Sequence, residues 1–472
     1  MQPNQKILVL ALLTASLVAC NNGKESSTQT PVLNTSTAQT ATQSKTQDTS
    51  KCTSCSTAAA VQSTTSGVNL NGIVSKEEFT KIFPLSDGDN LLKQYTLNSQ
   101  EMSKYQEGEY AKALTGICKE FEDKKDWNGQ ALCLEKHAPN YFAAWAKLQS
   151  LAGQLQNCPA VNAVDSHGTK VDFTGQLPPA SSIYKITTLY TYENFVQTTK
   201  YFPTFLSNSS NAKRELAALL ANVQQETTGL CFASETPFDI LIKLNTPADF
   251  ANIKNAQLCN WLNDDDKKAL SAQGITNLPV PCSDYNLSSE VINKIISYTL
   301  NVKKPHGKYC GDDAACVNSG NYYFGRGAIQ LSYPYNYKSF GQSDFVKSKG
   351  YDLVAHPDLV DSVAANKETS LLWGSALWFW LTPQTPKPSA HAVMTDQWQP
   401  TAADIKNNRK PGFGTVINIV NGGLECGKDR GADKDLKANN RIDAYQRILS
   451  IIGAPKDTLN LDCKDSKDFR YQ

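Results

Sequence analysis

The sequence has almost no net charge, few histidines and no long apolar run past its first twenty residues. Its 472 residues carry 46 Lys and Arg against 45 Asp and Glu, a formal balance of +1. Such a balance gives no electrostatic drive toward nucleic acid, and no basic stripe stands out to supply one. A membrane-crossing helix needs about 18 or more consecutive apolar residues, and their absence beyond the N-terminus excludes a polytopic membrane protein. His137, His167, His306, His356 and His391 form no HxxxH or HExxH, so no metal site is expected. No P-loop or dinucleotide-binding glycine pattern is present, and nothing implies a cofactor. Strong two-residue alternation of apolar and polar side chains dominates nowhere, which points to a mainly α body.

What the sequence does have is cysteine. Thirteen are too many for a reducing cytosol and argue for an oxidising compartment. The N-terminus agrees with that. Lys6 sits in a short lead, Ile7 to Val18 is apolar but too short to span a bilayer, and Leu17-Val18-Ala19 precedes Cys20. The pattern resembles a bacterial lipoprotein signal, in which the cysteine is acylated and its lipid chains hold it in a leaflet. On this reading 1–20 is the signal peptide, Cys20 is the lipidated residue and the protein is anchored to a bacterial membrane. Asn21 favours the outer membrane of a Gram-negative cell, with the body facing periplasm or cell surface. A plainer alternative is an ordinary signal peptide cleaved nearby, with Cys20 incidental. Thirteen cysteines less Cys20 leave twelve, an even number suited to full pairing.

Residues 21–70 hold 21 Ser or Thr and no aromatic residue. Too little apolar surface is available there to offset chain entropy, so 21–71 is expected to be a disordered tether. Cys52 and Cys55 lie inside it; a small disulfide loop is the simplest reading, with a redox pair or half a zinc site as alternatives. From Gly72 the texture becomes helical. Ser75 reads as an N-cap with Glu78 three residues later and Pro84 as the stop. Residues 86–185 are charged, amphipathic and read as helical, with Cys118, Cys133 and Cys158.

The helix from Asn211 to Glu226 places Leu216, Leu219, Leu220 and Val223 at i, i+3, i+4, i+7. Glu226 prolongs that buried stripe at the helix C-terminus, where desolvation and the helix dipole both favour a protonated carboxyl. A general acid working near neutral pH needs that setting. Gly229 breaks the helix, and Glu235 follows on a loop. Two glutamates alone are as readily solvated surface carboxylates.

Their context decides. Ala221 to Gly229, Tyr323 to Ser332 with Tyr335-Asn336-Tyr337, Leu377 to Trp380 with Pro386 to His391, and Pro411 to Cys426 follow one another as motif blocks. They resemble, in order, the blocks of glycoside hydrolase family 19, the plant-type class I and II chitinases. The resemblance covers roughly 72–85, 186–235 and 308–463. It makes 72–465 one catalytic domain with insertions at about 86–185 and 236–307. It implies a mainly α, two-lobed, lysozyme-like fold that hydrolyses β-1,4-linked N-acetylglucosamine polymers with inversion. By similarity Glu226 is the general acid, Glu235 the general base and Ser332 the residue that helps hold the attacking water. Inversion places the two carboxyls about 6.5–9.5 Å apart to make room for that water. Thr228, Gln330, Tyr335, Asn336, Lys387 and Asn421 match substrate-binding positions. Glu425 and Arg441 match a charged pair supporting the acid, although Arg441 alone would read as a surface salt bridge.

The resemblance further pairs Cys310 with Cys316 and Cys426 with Cys463, and leaves the partner of Cys231 open, Cys158 being possible. The partners of Cys118, Cys133, Cys259 and Cys282 are open as well. Trp373, Trp378 and Trp380 at helical spacing read as core, and Gly325, Gly327, Gly422 and Gly423 as tight backbone turns. Gln225 stands where the family has histidine, Ala328 where it has proline, and no Trp lies between Cys310 and Cys316. The partner is thus chitin or a related β-1,4 glycan. Peptidoglycan hydrolysis is the alternative activity, and an inactive glycan-binding lipoprotein the alternative class.

Overall fold

The computed structural model describes residues 70, 72–253, 255–262, 264–275, 288–311, 313–428 and 430–471. The signal peptide, Cys20, the tether to residue 69 with Cys52 and Cys55, and Cys282 lie outside the described residues.

The body is mainly α, as its periodicity indicates. Lys76–Ile82 (α1) begins at Ser75, whose hydroxyl accepts the Glu78 N–H while Glu78 returns its carboxylate to the Ser75 N–H at 2.7 Å. Two otherwise orphaned donors are satisfied together. Gly88–Tyr105 (α2) runs along Pro139–Asn157 (α3). The next segment departs from the helical reading of 86–185. Val161–Val164 (β1) and Lys185–Thr188 (β2) pair antiparallel, with Val161 opposite Thr188. Four residues of alternation, Val161 and Ala163 inward and Asn162 outward, are too few to stand out in the sequence.

Five further helices frame the rest: Tyr192–Thr199 (α4), Ala212–Thr227 (α5), Leu371–Leu381 (α6), Phe413–Glu425 (α7) and Gly431–Ile451 (α8). Leu216, Leu219, Leu220 and Val223 of α5 are all buried, and α5 lies against α8 for much of its length. These helices and α1 share the largest apolar cluster, in which Phe79 packs on Phe195 and Trp373. Trp373, Trp378 and Trp380 are core side chains, as their spacing suggests. A second cluster joins α2, α3 and the strand pair to Cys231, and a third, from Phe238 to Tyr298, closes on Phe324. Among the described residues no helix is long and apolar enough to cross a membrane.

Disulfides join Cys310 to Cys316 and Cys426 to Cys463, the pairs implied by the family. The open partner of Cys231 is Cys158, and Cys118 pairs with Cys133. Cys259 is also disulfide-bonded.

Candidate active site

Glu226 sits in the last turn of α5 with only 9% of its surface exposed. Thr228 ends the helix in the left-handed conformation and Gly229 continues it, so the chain turns sharply away. Arg441 of α8 reaches the acid: its Nη2 donates to Glu226 Oε1 at 2.5 Å. The same guanidinium grips Glu425 of α7 with both prongs, Nε to Oε2 and Nη2 to Oε1, each at 2.8 Å. Its third nitrogen, Nη1, donates to Asn222 Oδ1 at 3.0 Å.

Arg441 is 1% exposed, so the surface-pair reading of it is wrong. An amphipathic pattern around Arg441 cannot show that two other helices close over its polar side. Burial works against the charge on Arg441, but the Glu425 and Glu226 carboxylates outweigh it and hold the guanidinium above its ordinary value. Asn421, expected to meet substrate, donates to Glu425 Oε1 at 2.7 Å from a non-helical kink in α7. One buried cation therefore holds two buried carboxyls side by side.

Glu235 has different neighbours. Its Oε2 accepts the Tyr309 hydroxyl at 2.7 Å and the Gly325 N–H at 3.3 Å, while its own N–H donates to the Gly325 carbonyl at 2.8 Å. Gly325 belongs to a tight loop closed by Arg326 and Leu331, which exchange backbone hydrogen bonds at 3.1 and 2.8 Å. Gly327 ties this loop to the segment before Glu235 by donating to Ala233 at 2.8 Å. Only glycine fits there: φ is +82°, and a Cβ would lie 2.4 Å from the Ser375 hydroxyl. Gly422 and Gly423, expected to form turns, lie instead within α7, where a Cβ on Gly422 would strike the Asn418 side chain.

Burial first, and then the Glu235 carboxylate, pushes the Tyr309 phenol well above its ordinary value, so it stays a donor. Tyr309 meets Tyr333 edge-on at 5.1 Å, and Tyr333 stacks on Tyr335 at 5.6 Å. Tyr335 is 62% exposed, an open aromatic face near the base. The Ser332 hydroxyl gives its proton to the Gln330 carbonyl at 3.0 Å, leaving its lone pairs available to a water proton.

Of the other expected contacts, Gln330 donates its amide to Gly327 and Asn336 donates to the Ser332 carbonyl at 2.9 Å, so both brace the loop. Lys387 donates to the Ile419 carbonyl at 2.8 Å, and burial lowers its pKa. Thr228 lies on an outer cavity of about 440 Å³, with Gln225, Asn440 and Arg447.

The backbone joining acid and base is pinned. Thr227 Oγ1 accepts the Leu230 N–H at 2.8 Å, the Tyr190 hydroxyl donates to the Phe232 carbonyl at 3.2 Å, and Cys231 is bridged to Cys158. Sequence reasoning missed Tyr309 and Asn222. Tyr309 had one signal, its place beside Cys310; Asn222 had its spacing of one helical turn before Glu226.

The family model for chitinase class I, glycoside hydrolase family 19, matches residues 294–463. That stretch carries Tyr309, Ser332, Lys387, Asn421, Glu425 and Arg441; Glu226 and Glu235 precede it. Endochitinase CH25 of Brassica napus is 33% identical over 285 residues, 59% of this chain and 66% of its own length. Endochitinase 3 of Solanum tuberosum is 46% identical over 34% of this chain and 47% of its own. The chain thus spans less than two thirds of these two relatives. Chitinase 12 of Oryza sativa subsp. japonica is 34% identical over 59% of this chain and 67% of its own. Among solved structures, chitinase C of Streptomyces griseus HUT6037 aligns at 24% identity over 59% of this chain and 75% of its own, with a TM-score of 0.35. By the extent and identity of the match to the rice enzyme, with the motif blocks in order, the chain belongs to glycoside hydrolase family 19.

Proposed function

We propose that this protein is an exported, lipid-anchored chitinase that cuts β-1,4-linked N-acetylglucosamine polymers internally and with inversion. One observation carries the reading: two carboxyls at the ends of one pinned turn have different surroundings. Glu226 shares the buried Arg441 guanidinium with Glu425. Glu235 is held in place by two donors, Tyr309 and Gly325. An inverting glycosidase requires two such separately held carboxyls, one to give a proton and one to take a proton from water.

In the reaction Glu226 gives its proton to the glycosidic oxygen as the bond from that oxygen to the anomeric carbon breaks. A water on the opposite face forms the new carbon–oxygen bond and passes a proton to Glu235. Ser332 holds that water, and the Tyr333–Tyr335 face packs against sugar rings. Arg441 holds the two acidic side chains together through the charge movement, and Glu425 anchors Arg441. Gln225 lacks the titratable ring that histidine brings to this position, so the acid's environment rests on Arg441 and Asn222. Cys20 carries the lipid, and the Ser/Thr-rich segment lets the body reach glycan away from the membrane.

The test is a parallel assay of the purified full chain on chitin oligomers and on purified peptidoglycan. Cleavage of the oligomers with little release from peptidoglycan is expected. The reverse preference would make it a peptidoglycan hydrolase, and binding without cleavage of either would make it a glycan-binding lipoprotein.

A further inference from the structure

The geometry points to a buried ion pair, Asp361 with Arg326, that positions the water-activating carboxylate Glu235 through the backbone on either side of it; this rests on the proposed chitinase reading. Arg326 follows Gly325, the residue that holds Glu235 by both its N–H and its carbonyl. It also forms a backbone bridge with Ser234, the residue before Glu235. The side chain of Arg326 is almost fully buried, which is expensive for a cation unless its surroundings are built for it. They are. Its guanidinium carbon lies over the Phe324 ring, 3.7 Å from the centroid, and its Nη1 donates to the Tyr322 carbonyl at 2.8 Å and the Tyr337 hydroxyl at 3.0 Å. Tyr337 in turn donates to the Phe324 carbonyl at 2.7 Å, so the residues just before Gly325 are held on both sides.

The charge partner comes from a separate part of the chain. Asp361 Oδ1 lies 3.2 Å from Arg326 Nε. That nitrogen has no aligned hydrogen bond, so the contact is electrostatic. Asp361 therefore holds the one residue, Arg326, that both bridges Ser234 beside the base and follows the base's backbone donor Gly325. None of the expected substrate-binding residues does this. Asp361 is a positioning residue.

Its ionisation gives the clamp a working range. The groups facing it are Arg326, Asp239, Ser234 and the buried Tyr190 and Tyr337. Burial raises Asp361 to about 6 from its usual 3.8, against the pull of Arg326 and with the push of Asp239. Above that value the pair is charged and the clamp is closed. As pH falls through it, Asp361 takes a proton, Arg326 loses its counter-charge and the loop holding Glu235 loosens.

The test uses the full chain and its Asp361→Asn and Asp361→Glu variants. Two readouts are taken: amide hydrogen exchange over 232–236 and 323–332, which needs no substrate, and turnover of chitin oligomers from about pH 4.5 to 8. In Asp361→Asn, exchange of these two segments is expected to quicken at pH 7.5 while the rest of the body stays protected. Turnover should fall roughly tenfold or more, as a loosened catalytic group does, with KM within about twofold. Wild-type turnover should decline below about pH 6, and that step should be missing in Asp361→Asn and return in Asp361→Glu. Unchanged exchange in Asp361→Asn, or quickened exchange with wild-type turnover and pH profile, overturns the proposal. If the wild-type chain cleaves no chitin oligomer while Asp361→Asn still shows the quickened exchange, the chitinase reading is refuted and the clamp remains supported.

Discussion

Arg441 is the residue on which the account of the acid leans hardest, and its removal has a calculable cost. It is 1% exposed and gives two hydrogen bonds to Glu425, one to Glu226 and two to Asn222. Arg441→Gln keeps some length and polarity but withdraws the cation that pairs with both carboxyls. Breaking a buried pair by deleting one partner costs about 3–5 kcal/mol, because the other charge is left unpaired. Here Glu425 loses both hydrogen bonds from its cation, so a loss within that range is expected at pH 7. Arg441→Lys should recover part of it, since lysine keeps the charge but cannot bridge both carboxyls with a planar fork. Urea unfolding followed by the fluorescence of buried Trp373 and Trp380, which share a core with α8, measures this directly. A loss under about 1 kcal/mol in Arg441→Gln, the size typical of an exposed pair, would refute the buried triad. Equal losses for Gln and Lys would refute the role of the fork.

Other outcomes follow from the same geometry. Glu226→Gln keeps the shape but not the proton, so turnover of chitin oligomers should fall at least about a hundredfold while binding persists; Ser332→Ala should cost less, because it only places the water. The chain-entropy relation gives about 4 kcal/mol for losing Cys426–Cys463, with its separation of 37 residues, and about 2 kcal/mol for Cys310–Cys316, with 6, to be read from unfolding of Cys→Ser variants. Equal losses would remove loop closure as the explanation. Asp404 is held below its ordinary 3.8, its burial outweighed by Thr401 and Arg409. Its stabilisation is therefore full above about pH 4 to 5 and lost as pH falls below 3.8 toward the lowered folded value, so the deficit of Asp404→Asn seen at pH 7 should begin to shrink by pH 3. Wild-type protein should label with radioactive palmitate in bacteria and Cys20→Ala should not; labelling of the variant would end the lipoprotein reading.

Much of the site was legible because local pattern carries it. The buried stripe of α5 placed Glu226 correctly at a helix end, Gly229 placed the break, and the Ser75–Glu78 box placed α1. What stayed hidden depends on long-range closure. Arg441 reads as amphipathic surface until α5 and α7 pack over it. Gly422 and Gly423 read as turns because glycine pairs usually make them, yet they lie within α7, where Gly422 packs beside Asn418 and Gly423 beside Arg470. The strand pair at Val161 and Lys185 is too short to leave a period. Asp361 has no local signal at all: its meaning comes only from the loop that brings it to Arg326.

The central claim is that Glu226 and Glu235 act from opposite faces of the scissile bond with a water between them. The anomeric form of the first product reports this most directly. Chitin oligomers are mixed with the protein and the new reducing end is followed by proton NMR before mutarotation mixes the forms. The account predicts that the α-anomer appears first. An initial β-anomer would mean retention, and Glu235 could not be the base that activates water.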